Sequence, residues 1–201
     1  SDRIKYIRTI MDELQRIDSH LLFYSCCGQD LGALTAFIYG MRDREEVLNV
    51  MEETTGGRLI QNYYRIGGCQ EDIDVNLVEN VKKLCKYLKP KFKEYHDILS
   101  SNRIFMNRFK GVGVLSKEDA ISYGCTGGTG RATGWANDVR KHHPYAMYDK
   151  VEFDEITFTH GDSYDRYLVR MAELEQSVRI LEQLIDNIPE GDRKSTRLNS
   201  S

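Results

Sequence analysis

The chain has 201 residues, 40% of them hydrophobic and 29% charged, with a formal net charge of −3. That balance predicts a globular fold with a sizeable core, and acid and base are interspersed without the basic stripe that a phosphate backbone demands, which argues against nucleic acid as a partner. No apolar run approaches the roughly eighteen residues of a membrane-spanning helix.

Helical periodicity dominates. Ile4, Ile7, Met11, Leu14, Ile17 and Leu21 recur at three- and four-residue steps and predict a helix over 2–24. A shorter helix is expected after Asp30, and a separate one over 42–55 that Gly56 and Gly57 stop. Leu77 or Val78, then Val81, Leu84, Cys85, Leu88, Phe92, Tyr95 and Ile98 describe a long helix in which Pro90 should produce a kink. Short helices are expected at 102–110 and 117–123, the second with Ser116 as N-cap and Asp119 three residues on. Residues 124–160 are rich in turn formers and should be irregular, with a short strand at 150–157. The last helix, 162–188, carries Tyr164, Leu168, Met171, Leu174, Val178, Leu181 and Ile185 on one side and ends at Pro189 and Gly191.

Cys26, Cys27, Cys69, Cys85 and Cys125 form an odd set without CxxC spacing, so reduced thiols are expected rather than a disulfide framework or a metal-ligand set. The adjacent Cys26 and Cys27 should be small buried hydrophobes, because a vicinal disulfide strains the backbone. His142 and His143 lack a third ligand at useful spacing and should face solvent. TGGTGRATG at 126–134 is glycine-rich but lacks the Gly-Lys-Ser/Thr ending of a phosphate-binding loop, so nucleotide binding is not expected. Asp162, Asp165, Arg166 and Arg170 lie one turn apart and read as surface pairs.

Three motifs occur in order: NYYRIGG at 62–68, GVGVLS at 111–116 and GDSYDRYLVR at 161–170. With them, the chain closely resembles the D-subunit family of NADH-quinone oxidoreductase, the large subunit beside the quinone site of respiratory complex I, over residues 4–191. The resemblance implies a mainly α fold: the helical core of the hydrogenase-large-subunit-like fold, with long irregular loops. Residues 1–191 would be a fragment of that helical domain. Residues 192–201, DRKSTRLNSS, lose the apolar periodicity and are expected to be a non-native, disordered tail.

Quinone reduction needs proton donors at the ring oxygens and a site closed to bulk water. The family's quinone-holding histidine and tyrosine lie upstream of the matched region, so the resemblance implies no catalytic residue in this chain. Asp30, in GQDLGALTAF, matches the aspartate that bonds that histidine and fixes its tautomer. On its residues alone, Asp30 reads as the N-cap of a helix starting at Leu31. Phe37 matches an aromatic residue lining the quinone channel, and by itself reads as core. Arg58, Ile60, Arg65, Gly67 and Gly68 match a loop that approaches the terminal iron–sulfur cluster of a neighbouring subunit, where glycines allow close approach and arginine favours the reduced cluster. Many members carry a histidine at the position of Ile60, and isoleucine cannot titrate. Asp30 is expected to lie close to this loop. Arg131, Asp138 and Arg140 match positions expected in buried or interfacial ion pairs.

The implied protein is a core peripheral-arm subunit of NADH:quinone oxidoreductase on the cytoplasmic side of the bacterial inner membrane, coupled to proton translocation. It would bind no cofactor or metal itself, take quinone as substrate, and meet a small iron–sulfur subunit (B-like), a C-like subunit and a membrane quinone-channel subunit. The piece alone would be inactive. The alternative is the large subunit of an energy-converting nickel-iron hydrogenase, which needs two cysteine pairs, one near each end of the full protein and outside the matched region. NYYRIGG and GDSYDRYLVR favour the quinone enzyme.

Overall fold

The computed structural model describes residues 1–73 and 75–191, so the expectation for 192–201 lies outside the described residues. Four long helices form the body. The helix α1 spans Asp2–Asp30, α2 Leu34–Thr55, α3 Val75–Tyr95 and α8 Ser163–Ile185. Each packs against two others in the ring α1, α2, α3, α8. Neighbours run antiparallel: Asp18 meets Arg44, Asp43 meets Tyr87, Lys89 meets Glu182, and Glu13 meets Ser177. The predicted stripe of α1 is the centre of the core, with Ile7, Leu14, Ile17 and Leu21 fully buried.

Two expectations fail at the first helix pair. The helix α1 runs on to Asp30, and 34–55 is one helix rather than two. Asp30 is therefore the last residue of α1 and caps nothing, while Ala33 stands at the N-cap of α2 without a side-chain bond. Gly40, inside this helix, serves close packing. A Cβ there would lie 2.2 Å from Ser25 Oγ and 2.8 Å from the Tyr24 ring, and one on Gly28 would lie 2.7 Å from the Ala36 Cβ. Small residues let the two backbones approach closely, which offsets the roughly 1 kcal/mol of helix propensity that glycine gives up.

A two-residue hairpin follows, missed in the sequence, in which β1 (Tyr64–Arg65) pairs antiparallel with β2 (Gly68–Cys69). The helix α3 continues through Pro90, and α-geometry gives way only at a π-helical turn, His96–Ser100. Tyr164 Oη donates to the Ser100 carbonyl at 2.9 Å, and Ser100 Oγ lies 2.8 Å from Tyr167 Oη, so α8 fixes this turn. The short helices α4 (Arg103–Phe109) and α5 (Lys117–Ser122) start where expected, capped by Asn102 and Ser116. At α5 the capping box is incomplete: Asp119 accepts from the Ser116 hydroxyl at 2.8 Å instead of from its backbone.

The segment before α8 contains α6 (Gly127–Arg131) and α7 (Val139–His142). No strand forms at 150–157. This stretch is extended, but its backbone is bonded by glutamines of α8: Glu152 N–H donates to Gln183 and Asp154 N–H to Gln176, at 2.8 and 2.9 Å. Side chains replace the missing neighbour strand. The expectation that Cys26 and Cys27 are buried fails for Cys26, which is exposed, while Cys27 is partly buried. We expect Gly40→Ala to lower stability by about 1–3 kcal/mol through overpacking, measured as a shifted urea midpoint; an unchanged or raised midpoint would refute the close-approach account.

Candidate functional site

A buried polar network joins α1, α8 and the irregular segment. Glu13 has no solvent exposure. It accepts from Tyr148 Oη and Ser177 Oγ, both at 2.6 Å, from Arg140 Nη1 at 3.1 Å and from Arg16 Nε at 3.3 Å. Arg140 also forks onto Asp138, with Nη2 at 2.7 Å and Nε at 3.0 Å. Glu173, on α8, pairs with Arg131 and lies 2.8 Å from His20 Nε2. Arg16, Arg131 and Arg140 thus face Glu13, Asp138 and Glu173, a balanced interior.

Burial alone would raise these carboxyls, but the partners outweigh it. Arg16 and Arg140, with the Ser177 and Tyr148 hydroxyls, hold Glu13 below its ordinary value. Arg140 does the same for Asp138. His20 and Arg131 hold Glu173 at about 2. Burial lowers His20, more than Glu173 raises it, so the imidazole stays neutral and presents its Nε2 proton to Glu173. Glu13, Arg16, His20, Tyr148 and Glu173 were not singled out in the sequence. Their only signal is polar residues at 13, 16 and 20 on one helix side, which looks like a solvated face.

Asp30 and Phe37 lie at the α1–α2 corner. Asp30 is exposed and makes no hydrogen bond or ion pair among the described residues; Phe37 is partly buried. Beside them Leu34 is 59% and Ile38 52% exposed. Burial, then the Asp30 charge, pushes the Cys27 thiol up to about 11, so it is not a nucleophile.

The loop from Arg58 to Gly68 lies at the other end of the pair. Arg8 Nη2 donates to the carbonyls of Arg65 and Gly68 at 2.8 and 2.7 Å, and Tyr64 Oη lies 2.5 Å from Asp12 Oδ1. Gly67 turns the hairpin at φ 88°, and Gly68 is buried. Arg65 donates to Gln70 at 2.8 Å. Arg58 reaches back along α2 to Glu52 at 2.6 Å, Asn49 at 3.0 Å and Glu45. Ile60 is 88% and Ile66 100% exposed.

The structure does not bring Asp30 to the hairpin. Eighteen residues of α1 separate Asp30 from Asp12, roughly 27 Å at 1.5 Å per residue. The two clusters instead share one face of α2, on which Leu34, Ile38, Glu45, Asn49 and Glu52 follow at helical spacing. Arg131, Asp138 and Arg140 belong to the interior network and line neither cluster.

The residues at the start of α8 are not surface pairs. Asp162 caps α8 through the Asp165 amide at 2.8 Å and accepts from Gly111 N–H at 2.8 Å. Asp165 is buried against His160, and Arg166 donates to the carbonyls of Gly161 and Gly113. His142 and His143 are exposed. Among the described residues, no group of three or more His, Cys, Asp or Glu could hold a metal ion, and no helix is long and apolar enough to cross a membrane. A groove of about 770 Å³ lies between α3 and α8 along Phe92, Leu168, Met171 and Val178 and touches neither cluster.

Residues 30–200 match the family described as respiratory-chain NADH dehydrogenase, 49 Kd subunit. The chain belongs to this family. A relative from Bacteroides fragilis, the C/D subunit of NADH-quinone oxidoreductase, is 66% identical over 191 residues, covering 95% of this chain and 36% of the relative. The C/D protein of Hydrogenobaculum sp. is 46% identical over 92% of this chain and 33% of its own length. The D protein of Bacillus mycoides is 42% identical over 94% of this chain and 51% of its own. The chain thus spans about a third of the two C/D relatives and half of the D relative. The 49 kDa family is related to hydrogenase large subunits, and the mainly helical architecture agrees with that fold.

Two buried ionisable groups of the network, His20 and Glu173, stabilise more at higher pH. Unfolded His20 takes up a proton below about 6.5 while the folded one resists, and Glu173 loses its stabilisation as pH falls from 4.5 toward 2. For Glu173 this is of order 3 kcal/mol. In urea denaturation from pH 7 to 3, Glu173→Gln should lower stability at pH 7 and flatten the decline below pH 4.5; an equally steep decline would contradict the assignment.

Proposed function

We propose that this chain forms one wall of the quinone-reduction site in an NADH:quinone oxidoreductase, beside the iron–sulfur cluster of a partner subunit. The observation that carries this reading, with the family membership, is the loop from Arg58 to Gly68. Arg8 anchors its backbone while Ile60 and Ile66 stand almost wholly in solvent, so the loop is held in shape with its apolar side chains bare. A small iron–sulfur subunit is the partner this loop suits. C-like and membrane quinone-channel partners complete the complex on the cytoplasmic side of the inner membrane. Electrons arrive from NADH through the partners, and quinone reduction drives proton translocation.

The separation of the clusters refines the arrangement. An elongated wall suits a ring carrying a long apolar tail better than a compact substrate. Asp30 holds the quinone-binding histidine of the full-length protein in one tautomer, and Phe37, Leu34 and Ile38 offer apolar surface. Glu45, to which Arg58 reaches, lies two turns or about 12 Å along α2 from Phe37. The partner's cluster therefore belongs over Arg58 and Ile60 rather than over Arg65, Gly67 and Gly68. The relatives are named as quinone oxidoreductases, which favours this reading over a hydrogenase.

In the intact complex, Asp30→Asn should cut NADH:quinone activity about ten-fold or more, as loss of such a supporting bond does elsewhere. NADH oxidation by ferricyanide should be unchanged. Full quinone reduction by the variant would remove Asp30 from this role. The cluster midpoint should be nearly independent of pH between about 5 and 8, since Ile60 cannot titrate, and Ile60→His should introduce a slope approaching about 59 mV per pH unit. A wild-type slope of that size would overturn the account.

A further inference from the structure

We propose that loop 111–115 and the adjoining helix α5 form a preorganised docking surface for another polypeptide, one that presents an apolar socket rimmed by carboxylates. The surface uses none of the residues assigned to the quinone wall.

Its side chains are bare. Val112 is 51%, Val114 63%, Ile121 48% and Tyr123 79% exposed, all within twelve residues. A loose loop could expose such residues by default. This one is pinned. Gly111 N–H donates to Asp162 Oδ2 at 2.8 Å, and the Val112 carbonyl accepts from Ser163 N–H and Oγ, both at 3.0 Å. The Gly113 carbonyl accepts from Arg166 Nη2 at 2.8 Å, and Leu115 N–H donates to the Gly161 carbonyl at 3.0 Å. Gly113 sits at φ 62°, where a Cβ would also lie 2.9 Å from Arg166 Nη2. Asp162, Ser163 and Arg166, at the start of α8, thus turn the backbone polar groups of the loop inward and leave its valines outside. Ordering in advance lowers the entropy cost of association, and rigid apolar projections suit the centre of an interface.

Charge identifies the occupant. Residues 101–124 carry Arg103, Arg108, Lys110 and Lys117 against Glu118 and Asp119, a net of +2, whereas the whole chain is −3. Arg103, Arg108 and Lys117 are exposed and have no hydrogen-bond or ion-pair partner among the described residues. A carboxylate rim on the partner complements them. Neither α4 nor α5 exceeds seven residues, too short for a helix lying in a membrane interface.

The test places the photo-crosslinking residue p-benzoylphenylalanine at position 112 of the full-length protein in its native membranes, with adducts identified by peptide mass spectrometry. The expected adduct is a segment of a different polypeptide carrying apolar residues beside Asp or Glu. Reversing Lys110 and Lys117 to Glu should lower its yield about five-fold or more. Adducts to lipid, to another segment of the same polypeptide, to a second copy of it or to nothing would overturn the proposal, as would a yield insensitive to charge reversal. Folding is not at issue because every altered side chain is exposed, and no turnover is measured, so failure here leaves the quinone-wall reading untouched.

Discussion

The Glu13 carboxylate, without access to solvent, is the constraint on which the rest of the structure depends. A buried charge is tolerated only when its partners compensate the lost hydration, and those of Glu13 come from three places: Arg16 on its own helix, Ser177 on α8, and Arg140 and Tyr148 from the irregular segment. Removing any of the three arginines would strand an anion in the interior. The segment that carries Arg131, Asp138, Arg140 and Tyr148 is therefore fixed by ionic bonds to the bundle, with little secondary structure of its own. Its remaining backbone needs are met in the same way, through Thr9 Oγ1 on the Met147 amide and the two glutamines of α8.

This mode of attachment explains what could be read from the sequence. The cap Ser116 was legible because a cap is decided within three residues, and the stripe of α1 because its period is local. The role of Gly40 was not legible because its cause is the approach of Tyr24 and Ser25 from another helix. Residues 150–157 alternate like a strand, yet their neighbour is a helix bearing glutamines, which no period reveals. Glu13 was illegible for a related reason: its partner Arg140 is 127 residues away, and without that partner the same helix face looks solvated.

The candidate clusters show the same division. The motif NYYRIGG marked a special backbone, and the hairpin with its left-handed Gly67 supplies one. The expected closeness of that loop to Asp30 was a three-dimensional claim, and it fell once 34–55 proved to be a single helix. An uninterrupted α2 sets the spacing of the two ends by its length. The resemblance specifies residue identities, while helix continuity decides which of them can share a pocket.

Charge compensation also bears on the proposed electron-transfer geometry. The interior network sums to zero, so it contributes little field beyond the bundle, and exposed groups dominate the potential at a partner's cluster. Arg58 is paired with both Glu45 and Glu52, a local sum of −1, whereas Arg65, among the described residues, donates its side chain to the neutral amide of Gln70. A cluster seated over Arg58 therefore feels net negative charge, which disfavours its reduced, more negative state and lowers its potential. A cluster seated over Arg65 would be pushed the other way. In the proposed arrangement, a cluster over Arg58 would sit at the lower potential of the two seats, and Ile60, which cannot gain a proton, would add no pH-dependent correction to it.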